Sequence, residues 1–222
     1  MTAERLPNGC HLYVTPDCTF GTDALLLSQF VRVKPCQRLC DLGTGCGIVP
    51  LLLQSSHPTV VIDGVDCCFE AVALARRSVE ENGLSHRITI HEQSWSDLTL
   101  PPDTYDIVTC NPPYFAQNSG TVSTDPVRRL ARHEQEHTLE EVAAAAARLL
   151  KCGGRFVLCH RPERLTDLLG TLRAHHLEPK RLQTVSAAPD RAPFLVLCEA
   201  VKNGGSFLSV LPPLFLERRE TP

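Results

Sequence analysis

Two short stretches carry side chains of the type and spacing that can do chemistry. Asn111-Pro112-Pro113-Tyr114 follows a predicted strand from Tyr105 to Cys110, and Asp41-Leu-Gly-Thr-Gly-Cys-Gly47 begins seventy residues earlier, between another strand and a helix. Glycines in that place allow a tight turn and close approach of a ligand to backbone N–H groups. The tetrapeptide suits a different partner, a planar amine. Such a nitrogen is a poor nucleophile because its lone pair is delocalised into the ring. An Asn111 side-chain oxygen and a Pro112 carbonyl that accept its two protons turn the lone pair toward an electrophile. Pro112 and Pro113 stiffen the turn, and Tyr114 offers a face for a stacked base. Rate would come from positioning and hydrogen bonding, with no dedicated general base.

The acids near these motifs narrow the ligand. Asp41, in front of the glycines, suits an amino group rather than a pyrophosphate. Asp66, nineteen residues past Gly47, is placed to accept from ribose hydroxyls, with Asp63 as its competitor. Asp97 either accepts from an adenine amino group or caps a helix. Amine, ribose and adenine together describe S-adenosylmethionine (SAM), whose sulfonium is a good leaving group, and the pair of motifs reads as an N-methyltransferase. A nicotinamide-dependent oxidoreductase is the alternative for the glycine turn alone. His133-Glu-Gln-Glu-His137 fits the H-E-x-x-H zinc pattern. It falls at a loop-to-helix boundary among polar neighbours, so no metal is expected.

The elements that must position these residues alternate. Strands are predicted near 37–42, 59–65, 87–92, 105–110, 154–160, 181–187 and 194–201, and helices near 46–54, 68–82, 138–150 and 163–175. Continuous apolar strands such as Val60-Val-Ile62 and Phe156-Val-Leu158 suit a sheet covered on both faces. This pattern predicts an α/β, Rossmann-like, mostly parallel sheet whose last two long strands are antiparallel and joined through Pro189-Asp190. Gly204-Gly205 and Phe207 to Leu211 add one more short strand. The chain is read as one domain over 1–222. Its extension, 1–33, holds a hairpin around Pro7-Asn8-Gly9 and a helix capped at Thr22-Asp23 and running to Phe30; the core spans 34–222. The polar stretch from Phe115 to Thr138 reads as a substrate loop.

Composition bounds the remaining classes. The chain has 222 residues, 43% of them hydrophobic and 21% charged, enough for a full core and too ordered in pattern for disorder. No run approaches the about eighteen apolar residues of a membrane span, and Met1-Thr-Ala-Glu-Arg5 is no secretory signal, so a cytoplasmic protein is expected. Eleven cysteines include no C-x-x-C pair, and several sit in strand-like runs ending at Cys40, Cys159 and Cys198. They read as reduced, buried hydrophobes. Net charge is −3 and the pI about 6.3. Arginines nevertheless cluster at Arg128, Arg129 and Arg132, at Arg161 and Arg164, and at Lys180 and Arg181. Each cluster serves equally as a phosphate contact or as solvated surface charge.

Taken in order, Phe20-Gly-Thr-Asp-Ala-Leu-Leu-Leu27, Asp41 to Gly47, Asn111-Pro-Pro-Tyr-Phe115, Arg132-His-Glu134, Lys151-Cys-Gly-Gly-Arg155 and the closing Leu211-Pro-Pro-Leu214 resemble one group. These are bacterial SAM-dependent methyltransferases similar to the valine-tRNA adenine-N6 enzyme. The resemblance implies a seven-stranded class I fold, SAM as cofactor and RNA as substrate, with tRNA first. It implies that Gly21 and Asp23 line the cofactor's methionine end and that Asn111 to Tyr114 hold the base. With the motif reading, the expected cofactor site is Gly21, Asp23, Asp41, Gly43, Gly45, Gly47, Asp66, Asp97 and Asn111; Asn111, Pro112 and Tyr114 are expected to act on the base, and Pro113, Tyr114, Phe115, Arg128, Arg129 and Arg132 to contact the substrate. Guanine N2 of ribosomal RNA, a protein glutamine, and a non-catalytic SAM-fold binding module are the alternatives.

Overall fold

The computed structural model describes residues 1–112 and 139–216. Eleven strands and five α-helices are present among them: β1 (Thr2–Arg5), β2 (His11–Val14), α1 (Thr22–Phe30), β3 (Arg38–Leu42), α2 (Ile48–Ser56), β4 (Val61–Asp66), α3 (Phe69–Glu81), β5 (Ile88–Glu92), β6 (Tyr105–Cys110), α4 (Leu139–Leu149), β7 (Leu150–His160), α5 (Leu165–Ala174), β8 (Leu177–Ser186), β9 (Leu195–Lys202), β10 (Ser209–Val210) and β11 (Leu214–Phe215). The large sheet runs β10-β8-β9-β7-β6-β3-β4-β5, with β11 also on β8. Strands β3 to β7 pair in parallel, and β9 is antiparallel to both β7 and β8. The expected seven strands are there, joined by two two-residue strands that lie parallel to β8.

Chain order reverses between β3 and β6, which are neighbours although α2, β4, α3 and β5 intervene in sequence. Open α/β sheets bind ligands at the carboxyl ends of strands beside such a reversal.

Alternation along the strands divides the core. Leu39, Ile107, Val157 and Cys159 pack with α1, α2 and α3 on one face, while Cys40, Leu42, Val108, Phe156 and Leu158 pack with α4 and α5 on the other. Each fully buried Leu or Phe contributes roughly 2 kcal/mol. Cys40, Cys159 and Cys198 are fully buried among these side chains. Helix α4 follows from its composition: alanines favour the helix, Glu140 and Glu141 meet its positive end, and Arg148 its negative end.

The hairpin β1–β2 lies against α3. Ser78 Oγ accepts from Tyr13 N at 2.9 Å, and the Asn82 side chain accepts from His11 N and donates to His11 O, at 2.9 and 2.7 Å. Helix side chains thus satisfy a strand edge that would otherwise be open.

Three local readings need correction. Thr22 and Asp23 do not cap α1; Gly21 is the N-cap, with no side-chain hydrogen bond. Strand β7 begins at Leu150, where a helix was expected to end, because Leu150 already pairs with Tyr105 before a bulge. Strand β8 starts at Leu177, since Leu177 to Pro179 pair with β9 beyond a second bulge. Among the described residues, no helix is long and apolar enough to cross a membrane.

Candidate functional site

The glycine turn is fastened to the end of β4. Gly43 N and Thr44 N both donate to Val65 O, at 2.8 and 3.0 Å. Asp66, the last residue of β4, accepts from Gly45 N at 2.8 Å with one oxygen and from Cys68 N at 2.9 Å with the other. One carboxylate therefore ties the turn to the start of α3.

The glycines have separate reasons. A Cβ at Gly43 would lie 3.2 Å from the Trp95 ring, and one at Gly47 would lie 3.2 Å from Ala75 Cβ. At Gly45 a Cβ would meet nothing within 4 Å, and φ is +54°. That backbone faces open space, as close approach by a ligand requires. Thr44, between them in sequence, is buried beside the Asp41 carboxyl and helps to lower its value. The open backbone at Gly45 and the Asp66 carboxylate are what fit a polar ligand here.

Asp41 is the penultimate residue of β3 and is buried, accepting from Thr109 Oγ1 at 2.6 Å. Burial pushes its carboxyl up to about 7, against the pull of that hydrogen bond. A buried acid in this state favours a cation brought close to it.

Asp63 proves to be structural. His91 Nε2 lies 2.7 Å from Oδ1, while Tyr105 OH and Arg38 NH2 lie 2.9 and 3.3 Å from Oδ2. Burial opposes its charge, yet these partners hold the carboxyl below the ordinary range. Asp97 sits in a 3-10 turn, Trp95–Asp97, after β5 and is exposed. No helix follows it before Tyr105, so its capping alternative fails.

Register brings the two motifs together. Leu42 pairs with Cys110, so Gly43 and Asn111 are the next residues on adjacent parallel strands, at the reversal point. Neighbouring strands run about 4.8 Å apart. Asn111 is half-buried, and its Oδ1 accepts from the Cys159 thiol at 3.0 Å; Pro112 is buried.

The extension reaches the same corner. A turn closed by Thr15 N to Cys18 O, 3.0 Å, sets the Cys18 thiol against Cys46, three residues before Gly21. The shared hydrogen bond raises the Cys18 thiol and lowers that of Cys46. Asp23 follows in the first turn of α1. Pro113, Tyr114, Phe115, Arg128, Arg129, Arg132 and the His133–His137 pattern lie outside the described residues. Of the other arginines, Arg181 is no surface charge: it pairs with Glu199 at 2.9 Å and stacks 4.2 Å over Phe30. Arg164 pairs with Asp167, and Arg161 donates to Phe194 O at 3.2 Å. Among the described residues, no group of His, Cys, Asp or Glu has metal-binding geometry.

Thr109 and Cys159 escaped the sequence reading. Their signal is register, since Thr109 lies opposite Asp41 across β3 and β6.

This arrangement is the class I methyltransferase fold. A predicted O-methyltransferase from Agrobacterium tumefaciens superposes with a TM-score of 0.72 at 19% identity, over 90% of this chain and 89% of its own. A geranyl diphosphate methyltransferase solved in complex with SAM superposes at 0.60 and 16% identity, over 82% and 84%. The chain belongs to the methyltransferase small domain family, whose model matches residues 17–174. It is 31% identical over 181 residues to a tRNA1(Val) (adenine(37)-N6)-methyltransferase from Parabacteroides distasonis, covering 81% of this chain and 75% of the relative. A protein of the same name from Aeromonas salmonicida is 38% identical over 139 residues, 62% of this chain and 57% of its own.

Proposed function

We propose that the chain transfers the methyl group of SAM to the exocyclic N6 of an adenine in tRNA. The observation that carries this reading is the pairing of Leu42 with Cys110, from which the glycine turn and the tetrapeptide start at the same level of adjacent strands. The names borne by the similar relatives support the choice of adenine and tRNA.

In this reading Asp66 accepts from ribose hydroxyls while still holding Gly45 and Cys68. Asp41, with Gly21 and Asp23, faces the positively charged methionine end, and Gly43, Gly45 and Gly47 let the backbone come close. Asp97 accepts from the adenine of the cofactor. SAM supplies an activated methyl group on a sulfonium. The chain supplies orientation: the Asn111 side-chain oxygen, which also accepts from Cys159, and the Pro112 carbonyl accept hydrogen bonds from the two amine protons, one of which passes to solvent as the N–C bond forms and S-adenosylhomocysteine leaves. Tyr114 stacks the target base, Pro113 and Phe115 complete the base pocket, and Arg128, Arg129 and Arg132 contact phosphates. The protein works as one domain, extension 1–33 on core 34–222, in the cytoplasm, with RNA as its partner and no metal.

Incubation with methyl-labelled SAM and separate pools of tRNA, ribosomal RNA and protein, followed by nucleoside analysis, tests this. Label in N6-methyladenosine from tRNA is expected. Label in N2-methylguanosine or in glutamine would replace the substrate, and SAM binding with no transfer to any pool would end the enzymatic reading.

A further inference from the structure

At the opposite, amino-terminal ends of β3, β6 and β7 lies a cavity of about 260 Å³, lined by Lys34, Gln37, Asp106, Lys151, Arg155 and the bulge at 152–154. The bulge builds it. Leu150 pairs with Tyr105 and Arg155 with Ile107, so residues 151–154 stand against Asp106 alone. Gly154 permits this, because a Cβ there would lie 2.8 Å from Lys151 O and 3.2 Å from Tyr105 O.

The polar groups around the cavity are mostly donors. Gln37 Oε1 accepts from Lys34 N at 2.8 Å and from Arg155 NH2 at 3.2 Å, which turns its amide NH2 outward as a donor. Lys151 Nζ lies 2.9 Å from Asp106 Oδ1. Arg155 shares one carboxylate, Glu199, with Arg181, at 3.4 and 2.9 Å. Lys34 adds another cation at the rim. Among the lining residues Lys34, Lys151 and Arg155 are set against Asp106 alone, an excess of two positive charges in a chain whose net charge is −3.

We propose that this cavity binds a phosphate group, at a site separate from the glycine turn. Two lysines, an arginine and a glutamine line a space suited to a compact oxyanion with several acceptors. Free phosphate, the terminal phosphate of a nucleotide and the phosphodiesters of RNA present the same oxygens. An excess of two charges matches the dianions better than the singly charged diester.

Calorimetry at constant ionic strength tests the site with inorganic phosphate, a nucleoside monophosphate and a hydroxyl-ended RNA oligonucleotide, with chloride as control. One-to-one binding of phosphate and of the monophosphate is expected, with the RNA weaker. Lys34→Ala and Lys151→Ala, both at exposed or half-exposed positions, should each weaken phosphate binding about tenfold. Melting temperature and SAM affinity should stay unchanged, which separates this site from the proposed transfer reaction. No saturable heat with phosphate up to about 20 mM, unaltered affinity in both variants, or a response to the oligonucleotide alone would overturn the proposal.

Discussion

The two ends of one parallel sheet have opposite chemistry. At the carboxyl ends of β3, β4 and β6, Asp66 and Asn111 bring oxygens to an open glycine backbone, with the buried Asp41 carboxyl one residue in from the end of β3. At the amino ends, Lys34, Lys151 and Arg155 surround a small cavity, with Asp106 and Glu199 only partly neutralising them. An acceptor-rich end suits a cofactor with ammonium, sulfonium and ribose groups; a donor-rich end suits an oxyanion. The sheet separates them, so one end can be altered without the other.

The contrast also appears within β4. Asp63 and Asp66 are three residues apart, yet Asp63 is enclosed by His91, Tyr105 and Arg38, whereas Asp66 accepts from the backbone amides of Gly45 and Cys68. Two acids on one strand thus differ: side chains enclose one, and the other fastens the glycine turn.

The largest break should come from Asn111→Ala. Turnover should fall about 100- to 1000-fold, by analogy with loss of one preorganised hydrogen-bonding group, while SAM affinity measured by calorimetry changes little. Asp63→Ala should act on the fold alone. Breaking its buried network should cost about 3 kcal/mol in urea unfolding, with SAM affinity retained by the folded fraction. Its depressed carboxyl value means that this stabilisation is present at neutral pH and is lost as pH falls through that value.

Asp66→Ala should invert that pattern. Loss of two charge-assisted bonds and the ribose acceptor should weaken SAM binding about 30- to 100-fold, with a smaller shift in melting temperature. Asp41 adds a pH signature. Its carboxyl titrates at about 7, and a cationic ligand favours the charged form. SAM affinity should therefore fall about tenfold per pH unit below that value, with proton release visible in buffers of different ionisation enthalpy. For the fold the sign is opposite, because the folded-state value lies above the unfolded one. Protonated Asp41 stabilises at low pH, and that contribution is lost as pH rises toward about 7. Cys159→Ala is the smallest change. It frees one Asn111 lone pair, and turnover should shift about two- to fivefold.

Much of this was legible along the chain because the signals are local. Apolar runs such as Phe156-Val-Leu158 marked strands, and alanines marked α4. The glycine turn and the prolines constrain their own backbone. Asp66 was preferred over Asp63 because it ends its strand, and the structure gives Asp63 other work. The failures share a cause too. Thr109 beneath Asp41, Cys159 against Asn111 and Glu199 between two arginines are contacts set by register between strands distant in sequence. No spacing along the chain encodes them.

Sequence alone determined the element types, the position of the glycine turn and the identity of the tetrapeptide, because φ preferences and apolar periodicity act over a few residues. Tertiary structure decided which acid was buried, which carboxylate was consumed by packing, and that a basic cavity would form behind the β7 bulge. Those outcomes depend on dielectric and strand pairing, which exist only once the sheet has assembled.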